Sequence, residues 1–178
     1  ELFKAKGFNW ALCGNLAAVE IAKGLGFKII ADTGLNIVNS ESLETVSRLG
    51  VSAAVISAEE LLSDSRKLSS PIPKGLIVYG NIPLMLFRNC PLKNGISCKD
   101  CDKSGVITDR LGVEFPVRCR MGYSELLNSV PLWLADRKKE LDGFEFSVLY
   151  FTRETKEQAE KVIDAYNKGL PPITTHTR

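Results

Sequence analysis

The chain has 178 residues, of which 44% are hydrophobic and 25% are charged, and its formal net charge is +2 at pH 7. This composition is that of a globular protein, and it excludes a disordered tail, a collagen-like rod and a small disulfide scaffold. Since no apolar run approaches the roughly 20 residues of a membrane-spanning helix, we expect a cytoplasmic protein without a membrane partner.

Positive charge is concentrated in the middle of the chain. Residues 66–120 carry 10 basic and 4 acidic side chains, a net charge of +6, whereas residues 1–65 carry 5 basic and 8 acidic ones, a net charge of −3. A basic segment attracts phosphate groups by Coulomb steering. The alternative is a solvated surface with a local excess of Lys and Arg.

Residues 1–80 alternate short apolar runs with helical patterns. The apolar runs predict four strands, at residues 10–13, 28–31, 53–57 and 75–79. Apolar residues at helical spacing predict helices between the strands, with Asn15 and Ser40 as N-caps and a short helix from Glu59. Strands that are apolar throughout and separated by single helices indicate a parallel sheet covered by helices.

Short loops between strands and helices favour successive units of a TIM-like (β/α) barrel. A doubly wound open sheet is the alternative, but no glycine-rich phosphate turn follows any of these strands. About five βα units are present in the pattern, and a closed barrel needs eight. We therefore predict an α/β fold, an incomplete TIM-like barrel, and self-association through its open edge and inner face.

The regular alternation ends at Asn81. Residues 81–122 hold four cysteines and little periodicity, apart from a hairpin predicted over residues 106–115, and we interpret this segment as a cysteine-rich, metal-binding insertion. Residues 123–178 predict the last βα unit, with a helix over 132–141, a strand over 144–151 and a helix that begins at Thr152 and ends at Gly169.

The four cysteines of the insertion have the spacing Cys-x7-Cys-x2-Cys-x17-Cys, at Cys90, Cys98, Cys101 and Cys119. A Cys-x2-Cys pair binds one metal from a tight turn, and two further thiolates complete a tetrahedral site. This soft ligand set suits zinc or an iron–sulfur cluster, with free thiols or disulfides as alternatives. The fifth cysteine, Cys13, ends a strand and is interpreted as a small buried apolar residue rather than a ligand.

Polar residues follow the predicted strands, where the catalytic groups of a barrel lie. Asp32 and Glu59 each come directly after an apolar strand and are predicted to be catalytic, as general acid, general base or substrate anchor. A carboxylate in the first turn of a helix is the alternative for both. The predicted substrate-binding residues are Asn15, Asn36, Tyr79 and Asn128; helix capping also explains Asn15, and packing also explains Tyr79.

Several short motifs occur together from about residue 9 to the end of the chain. They are Leu12–Leu16, Asp32 with Asn36 and Asn39, Ser57–Glu59, Tyr79–Met85, Cys90–Pro91, Asp109–Gly112 before Phe115–Pro116, Asn128–Ser129 and Thr177–Arg178. This set resembles the collagenase-like peptidase family, the U-type peptidase family numbered thirty-two. The segment from Pro83 to Pro91 is fairly specific to that family.

The resemblance implies a TIM-like barrel of which this chain is the later part, so that the missing N-terminal part of the barrel is a partner. It also implies a metal on Cys90, Cys98, Cys101 and Cys119, which is a 4Fe–4S cluster in family members that hydroxylate RNA bases or quinone precursors. Zinc at the same thiolates is the expected occupant after exposure to air. We therefore expect the intact protein to hydroxylate a base of RNA, and this fragment alone to be inactive.

Two other functions stay open at this point. The first is a peptidase, as the family name implies, although the one histidine of the chain is His176 and no proteolytic apparatus is recognisable. The second is a zinc-stapled structural or binding module without chemistry.

Overall fold

The structure is a computed structural model and describes residues 2–93, 101, 103–120 and 122–171. The described residues form two compact units. One is built from residues up to Val78 and from Leu134–Leu149, and the other from Tyr79–Trp133 and the residues from Tyr150 onward. No helix among the described residues is long and apolar enough to cross a membrane.

Helices and strands alternate at first along the chain, and a run of strands then follows. In chain order the elements of the described residues are α1 (Leu2–Ala5), β1 (Trp10–Cys13), α2 (Leu16–Gly24), β2 (Lys28–Ala31), a 3-10 turn (Thr33–Leu35), α3 (Ser40–Arg48), β3 (Ala53–Val55), α4 (Leu62–Ser65), β4 (Lys74–Gly80), β5 (Pro83–Phe87), β6 (Ser104–Thr108), β7 (Glu114–Arg120), β8 (Tyr123–Leu127), β9 (Leu132–Trp133), a 3-10 segment (Ala135–Leu141), β10 (Phe146–Tyr150) and α5 (Lys156–Lys168).

The first unit contains the predicted parallel sheet. Strands β1 to β4 pair in parallel in chain order, and β10 lies beside β4. Every residue of β3 and β4 is buried, while α2 and α3 bury Val19 and Leu43 at 1% and 0% exposure. The mixed α/β class with a parallel sheet and helices is therefore confirmed. In the part of the chain that the structure describes, this sheet is open and does not close into a barrel.

Two of the predicted N-caps are wrong by one and by three residues. Asn39, not Ser40, caps α3: its Oδ1 accepts a hydrogen bond from the Ser42 N–H at 2.8 Å, and Ser42 Oγ accepts one from the Asn39 N–H at 3.3 Å. Thr155, not Thr152, caps α5 in the same reciprocal way with Gln158. In both cases the capping box fixes the start of the helix, because the cap and the third helical residue satisfy each other's N–H groups.

The second unit contains a four-stranded antiparallel sheet in the order β5-β8-β7-β6. The predicted hairpin is confirmed as β6 and β7, and its turn is closed by Asp109 Oδ1, which accepts from the N–H groups of Leu111 and Val113 at 2.7 and 2.9 Å. This sheet buries more apolar side chains than the sequence indicates, since Val117 of β7 and Leu127 of β8 are 1% and 0% exposed. Strand β8, which the sequence assigned to the last βα unit, completes this sheet.

The helix predicted over residues 132–141 is wrong in type. Its first two residues form β9, in which Trp133 pairs with Tyr79 of β4. The remainder is a 3-10 segment that is interrupted at Arg137, where φ is −112° and ψ is 33°. A run of charged residues with one buried side chain, Ala135, has no apolar face to hold a longer α-helix.

A buried lysine lies at the N-terminal end of β4 in the parallel sheet. Lys74 begins β4 and is 5% exposed, and burial lowers the pKa of its amine. Its Nζ donates to the carbonyl oxygens of Ser65, Arg66 and Leu68, at 3.0, 2.9 and 2.7 Å. These carbonyls lie at and just after the C-terminal end of α4, where carbonyl groups lack intrahelical N–H partners; that of Ser65 also accepts from the Leu68 N–H at 3.4 Å.

Replacing Lys74 with Met should lower the free energy of unfolding by about 3 kcal/mol, because three carbonyls, one buried and two partly buried, lose a charged donor. Urea denaturation measures the difference. Lys67→Met is the matched control: its side chain is 74% exposed and pairs with Asp64, so the expected loss is below about 0.5 kcal/mol. Equal losses in the two variants would contradict the assigned role of Lys74.

Candidate metal centre

One end of the antiparallel sheet gathers the termini of all four strands. The register pairs Phe87 of β5 with Ser124 of β8, Cys119 of β7 with Ser124, and Arg118 of β7 with Ser104 of β6. The C-terminal ends of β5 and β7 therefore lie beside the N-terminal ends of β8 and β6. We call this the cysteine end of the sheet.

The three described cysteines of the insertion belong to this end. Cys90 follows β5 by three residues, Cys101 precedes β6 by three residues, and Cys119 is the last residue but one of β7. The turn that begins at Cys90 is closed by the Lys93 N–H, which donates to the Cys90 carbonyl at 3.2 Å. Within that turn, Leu92 lies so close to Gly105 of β6 that a side chain at position 105 would overlap it.

Cys101 and Cys119 are linked through Lys103. The Lys103 N–H donates to Cys101 Sγ at 3.3 Å, and the Lys103 carbonyl accepts from the Cys119 N–H at 2.9 Å. Cys90 and Cys101 are half-buried, and Cys119 is exposed. Hydrogen bonds to sulfur are one way in which proteins tune the reduction potential of an iron–sulfur cluster; Cys101 Sγ receives one here, whereas the Cys119 thiol donates to the Arg120 carbonyl at 3.5 Å.

The complete donor set depends on Cys98, which lies outside the described residues. Among the described residues no three His, Cys, Asp or Glu side chains are placed to hold a metal ion. Cys13, Cys90, Cys101 and Cys119 are free thiols. Cys13 is 3% exposed and burial raises the pKa of its thiol, as expected of a small core residue.

An ion-pair network holds the strand that carries Cys119. Arg118 Nη2 lies 2.6 Å from Glu125 Oε2 and donates to the Tyr150 hydroxyl at 3.0 Å, and Arg120 Nε lies 3.3 Å from the same Glu125 oxygen. Because side chains alternate along a strand, the two arginines lie on the face of β7 opposite Cys119. The network fixes the end of β7 from behind the thiol.

The loops after β1, β2 and β3 contact one another at the end of the parallel sheet where these strands have their C-termini. The Asp32 N–H donates to the Cys13 carbonyl at 2.9 Å, and the Ser57 N–H donates to the Ile37 carbonyl at 2.9 Å. Gly34 lies so close to the Gly14 carbonyl that no Cβ would fit there. The loops that carry the predicted residues Asn15, Asp32, Asn36 and Glu59 therefore lie together at the C-terminal end of these strands.

Three of these residues make local contacts that shape their loops. Asn15 Oδ1 caps α2 by accepting from the Ala18 N–H at 2.8 Å, and Asp32 Oδ1 accepts from the Thr33 N–H at 2.8 Å. Asn36 ends the 3-10 turn in the left-handed conformation, with φ at 49°. Glu59 is exposed, so its carboxylate is open to solvent and to a ligand.

Tyr79, predicted to bind substrate, is 6% exposed in an aromatic cluster of the second unit. Its ring lies 5.4 to 6.2 Å from those of Trp133, Phe151 and Tyr166. Its hydroxyl donates to Glu154 Oε1 at 2.9 Å. Burial and the hydrogen bond to Glu154 raise the pKa of this phenol, so Tyr79 stays protonated at neutral pH.

Asn128 lies in the same unit and holds the backbone after β4. Its N–H donates to the Ile82 carbonyl and its own carbonyl accepts from Asn81 Nδ2, at 2.9 and 2.8 Å. Its Nδ2 donates to the Val130 carbonyl, and its Oδ1 has no partner among the described residues. Asn81 is 8% exposed; it belongs to the Tyr79–Met85 motif but is not among the predicted binding residues.

Glu154 is the residue that sequence reasoning missed in this unit. Burial alone raises the pKa of its carboxyl, but hydrogen bonds from the N–H groups of Arg153 and Thr152, at 2.9 and 2.7 Å, and from the Tyr79 hydroxyl bring the pKa below its ordinary value. No local sequence pattern indicates this contact, because Tyr79 is 75 residues away along the chain.

Comparison with known proteins adds no relative: no protein-family model, curated protein or solved structure matches this chain. The family resemblance of the motifs therefore stays a prediction.

Glu154→Gln should remove a pH-dependent part of the stability. Since the folded pKa lies below the unfolded value near 4.5, the carboxylate stabilises the fold above that value, and this stabilisation is lost as the pH falls through the folded pKa. The free energy of unfolding of the wild type should therefore exceed that of Glu154→Gln by the largest amount at neutral pH and by the smallest amount in acid. Urea denaturation at several pH values measures this difference.

The exposed Glu44 supplies the matched control for this experiment. For Glu44→Gln, the free energy of unfolding plotted against pH should run parallel to that of the wild type. A constant difference between the wild type and Glu154→Gln from neutral pH into acid would contradict the assignment.

Proposed function

We propose that Cys90, Cys98, Cys101 and Cys119 bind one metal centre, which is a 4Fe–4S cluster in the native protein and zinc after isolation in air. The observation that supports this proposal is the strand register, which brings three of these cysteines to one end of an antiparallel sheet. Cys98 precedes Cys101 by three residues, at the spacing that lets two thiolates share one ion.

We propose further that the parallel sheet is part of a TIM-like barrel into which the cysteine-bearing sheet is inserted. The exposed edge of the sheet supports this proposal: Trp10 and Leu12 of β1 are 51% and 58% exposed, which is unusual for side chains of a parallel sheet. The rest of the barrel, contributed by polypeptide outside these 178 residues, would cover them.

For the intact protein we propose RNA modification, namely hydroxylation of a base without molecular oxygen, in which an external oxygen donor such as water supplies the oxygen atom and an external acceptor receives the two electrons removed from the base. When bound, the cluster supplies electron transfer. Asp32 and Glu59 orient the substrate, with Asn15 and Asn36 of the neighbouring loops as further polar contacts. The basic residues of the cysteine end, which include Arg88, Lys93 and Lys103, hold phosphate groups. The family resemblance supports the reaction, and the positive charge supports the class of substrate.

Cys101→Ser should abolish stoichiometric metal binding, because a tetrahedral thiolate site loses one of its four ligands. Protein purified without oxygen is assayed for iron, acid-labile sulfide and zinc per chain. The wild type should carry a 4Fe–4S cluster, or one zinc if air was admitted.

Cys13→Ala is the matched control, because Cys13 lies in the core of the other unit and should keep the wild-type metal content. Wild-type protein that carries neither metal, with its thiols freely reactive, would refute the proposed centre.

Arg88→Ala and Lys103→Ala should each weaken binding to single-stranded RNA uniformly across sequences, and each should reduce the slope of log K against log salt by roughly 0.7. Fluorescence anisotropy titrations at several salt concentrations measure both effects. Lys156→Ala, with a side chain that is 89% exposed on α5, is the control and should leave the slope unchanged. Equal slopes for all the variants would contradict phosphate binding at the cysteine end.

A further inference from the structure

Positive charge is concentrated at one end of the antiparallel sheet. Among the described residues, the cysteine end carries one acidic side chain, Glu125, and five basic ones, a net charge of +4; the basic residues are Arg88, Lys93, Lys103, Arg118 and Arg120. The opposite end, at the β6–β7 turn, carries Asp109, Arg110 and Glu114, a net charge of −1. The two ends of one small sheet therefore differ in sign, and it is the cysteine end that attracts a polyanion.

An exposed aromatic ring lies within this positive end. Tyr123 begins β8 and is 41% exposed, whereas the other aromatic side chains described in the second unit are buried or half-buried. Tyr123 pairs directly with Arg120 of β7. Opposed side chains of an antiparallel pair lie on the same face, with Cβ atoms about 5 Å apart. The ring and the guanidinium are therefore neighbours.

The ion pairs with Glu125 hold Arg120 in this position. Glu125 binds both Arg118 and Arg120, so this group of three keeps one positive charge that is not neutralised. The side chain of Arg118 is 14% exposed, whereas that of Arg120 is 44% exposed. Arg120 is thus positioned beside the Tyr123 ring and remains accessible to a phosphate group.

Arg88 supplies positive charge on the other side of Tyr123. The strand order places β8 between β5 and β7. Phe87, the last residue of β5, lies opposite Ser124, so Arg88 follows the strand at the level of Tyr123, and it is exposed. The ring therefore has an arginine on each side along the sheet.

We infer that Tyr123 stacks on an unpaired base of RNA, while Arg120 and Arg88 bind the phosphate groups that flank this base. Stacking on an aromatic ring, combined with basic side chains along the backbone, is how proteins hold single-stranded nucleic acid. A base inside a duplex has both faces covered by its neighbours and is not open to such stacking, so this surface selects single-stranded RNA. The inference rests on the proposed function and narrows its class of substrate.

The stacked nucleotide is an anchor and not the base that is hydroxylated. Tyr123 shares the face of Arg120, which is opposite the face of Cys119, because side chains alternate along a strand. The ring and the arginines also contribute in separable ways. Loss of the ring weakens binding at an unchanged number of phosphate contacts, whereas loss of an arginine changes the salt dependence.

The test is a fluorescence anisotropy titration of the full chain with a short labelled single-stranded RNA, and with the matching duplex, at several salt concentrations. Tyr123→Ala and Tyr123→Leu, which remove the ring, should raise the dissociation constant by about 10-fold and leave the slope of log K against log salt unchanged. Tyr123→Phe keeps the ring and should stay within about twofold of the wild type. The wild type should bind the duplex at least about 10-fold more weakly than the single strand. Circular dichroism checks that the variants are folded.

Phe8→Ala is the matched control, because Phe8 is an aromatic residue of the first unit with 56% exposure, and its loss should change neither affinity nor slope. Three results would overturn this inference alone, each with a wild type that binds RNA: unchanged affinity in the folded Tyr123→Ala and Tyr123→Leu variants, an equal loss in Tyr123→Phe, or equal affinity for the duplex. A wild type that does not bind RNA even at low salt would contradict the proposed function itself.

Discussion

The register of the antiparallel sheet is the constraint on which the proposed centre depends. Backbone hydrogen bonds between β6, β7 and β8 decide which residues lie at the cysteine end, and the Lys103–Cys119 contact continues this pairing beyond β6. A slip by one residue would turn Cys119 to the opposite face. The pairing of Val117 with Leu126 and of Arg118 with Glu125 defines this register.

The ion pairs behind β7 add to this constraint. Glu125 is 7% exposed and receives both Arg118 and Arg120, so the residues on either side of Cys119 are held on the face away from the thiol. A buried ion pair contributes little net stability, but breaking one by removing a single partner is costly. The pairs therefore contribute mainly to the position of the strand end.

Much of the first unit follows from its sequence, because local signals and burial agree there. Continuous apolar runs locate β1 and β2 to the residue, and Asn15 marks the start of α2. The errors occur where two capping residues stand close together, as at Asn39 and Ser40. There the choice depends on which side chain reaches the third helical N–H, and composition does not encode that.

The second unit is harder to predict, because its structure depends on long-range pairing. Trp133 lies in a segment with helical composition but pairs with Tyr79, and Glu154 receives the hydroxyl of the same tyrosine from 75 residues away. The cysteine spacing predicts the ligands of the candidate site, but the sequence contains no sign that the sheet beside them buries Val117 and Leu127. Thiol chemistry therefore indicates the candidate ligands, whereas their scaffold emerges only from the fold.

The central claim is that four cysteine sulfurs bind one metal centre. X-ray absorption spectroscopy of the chain purified without oxygen tests it most directly, because it counts the ligands around the metal. The account predicts a purely sulfur-ligated metal, with iron–sulfur distances of a cluster or, for zinc, four sulfurs at about 2.3 Å. A first shell of nitrogen or oxygen atoms, or the absence of bound metal, would contradict it.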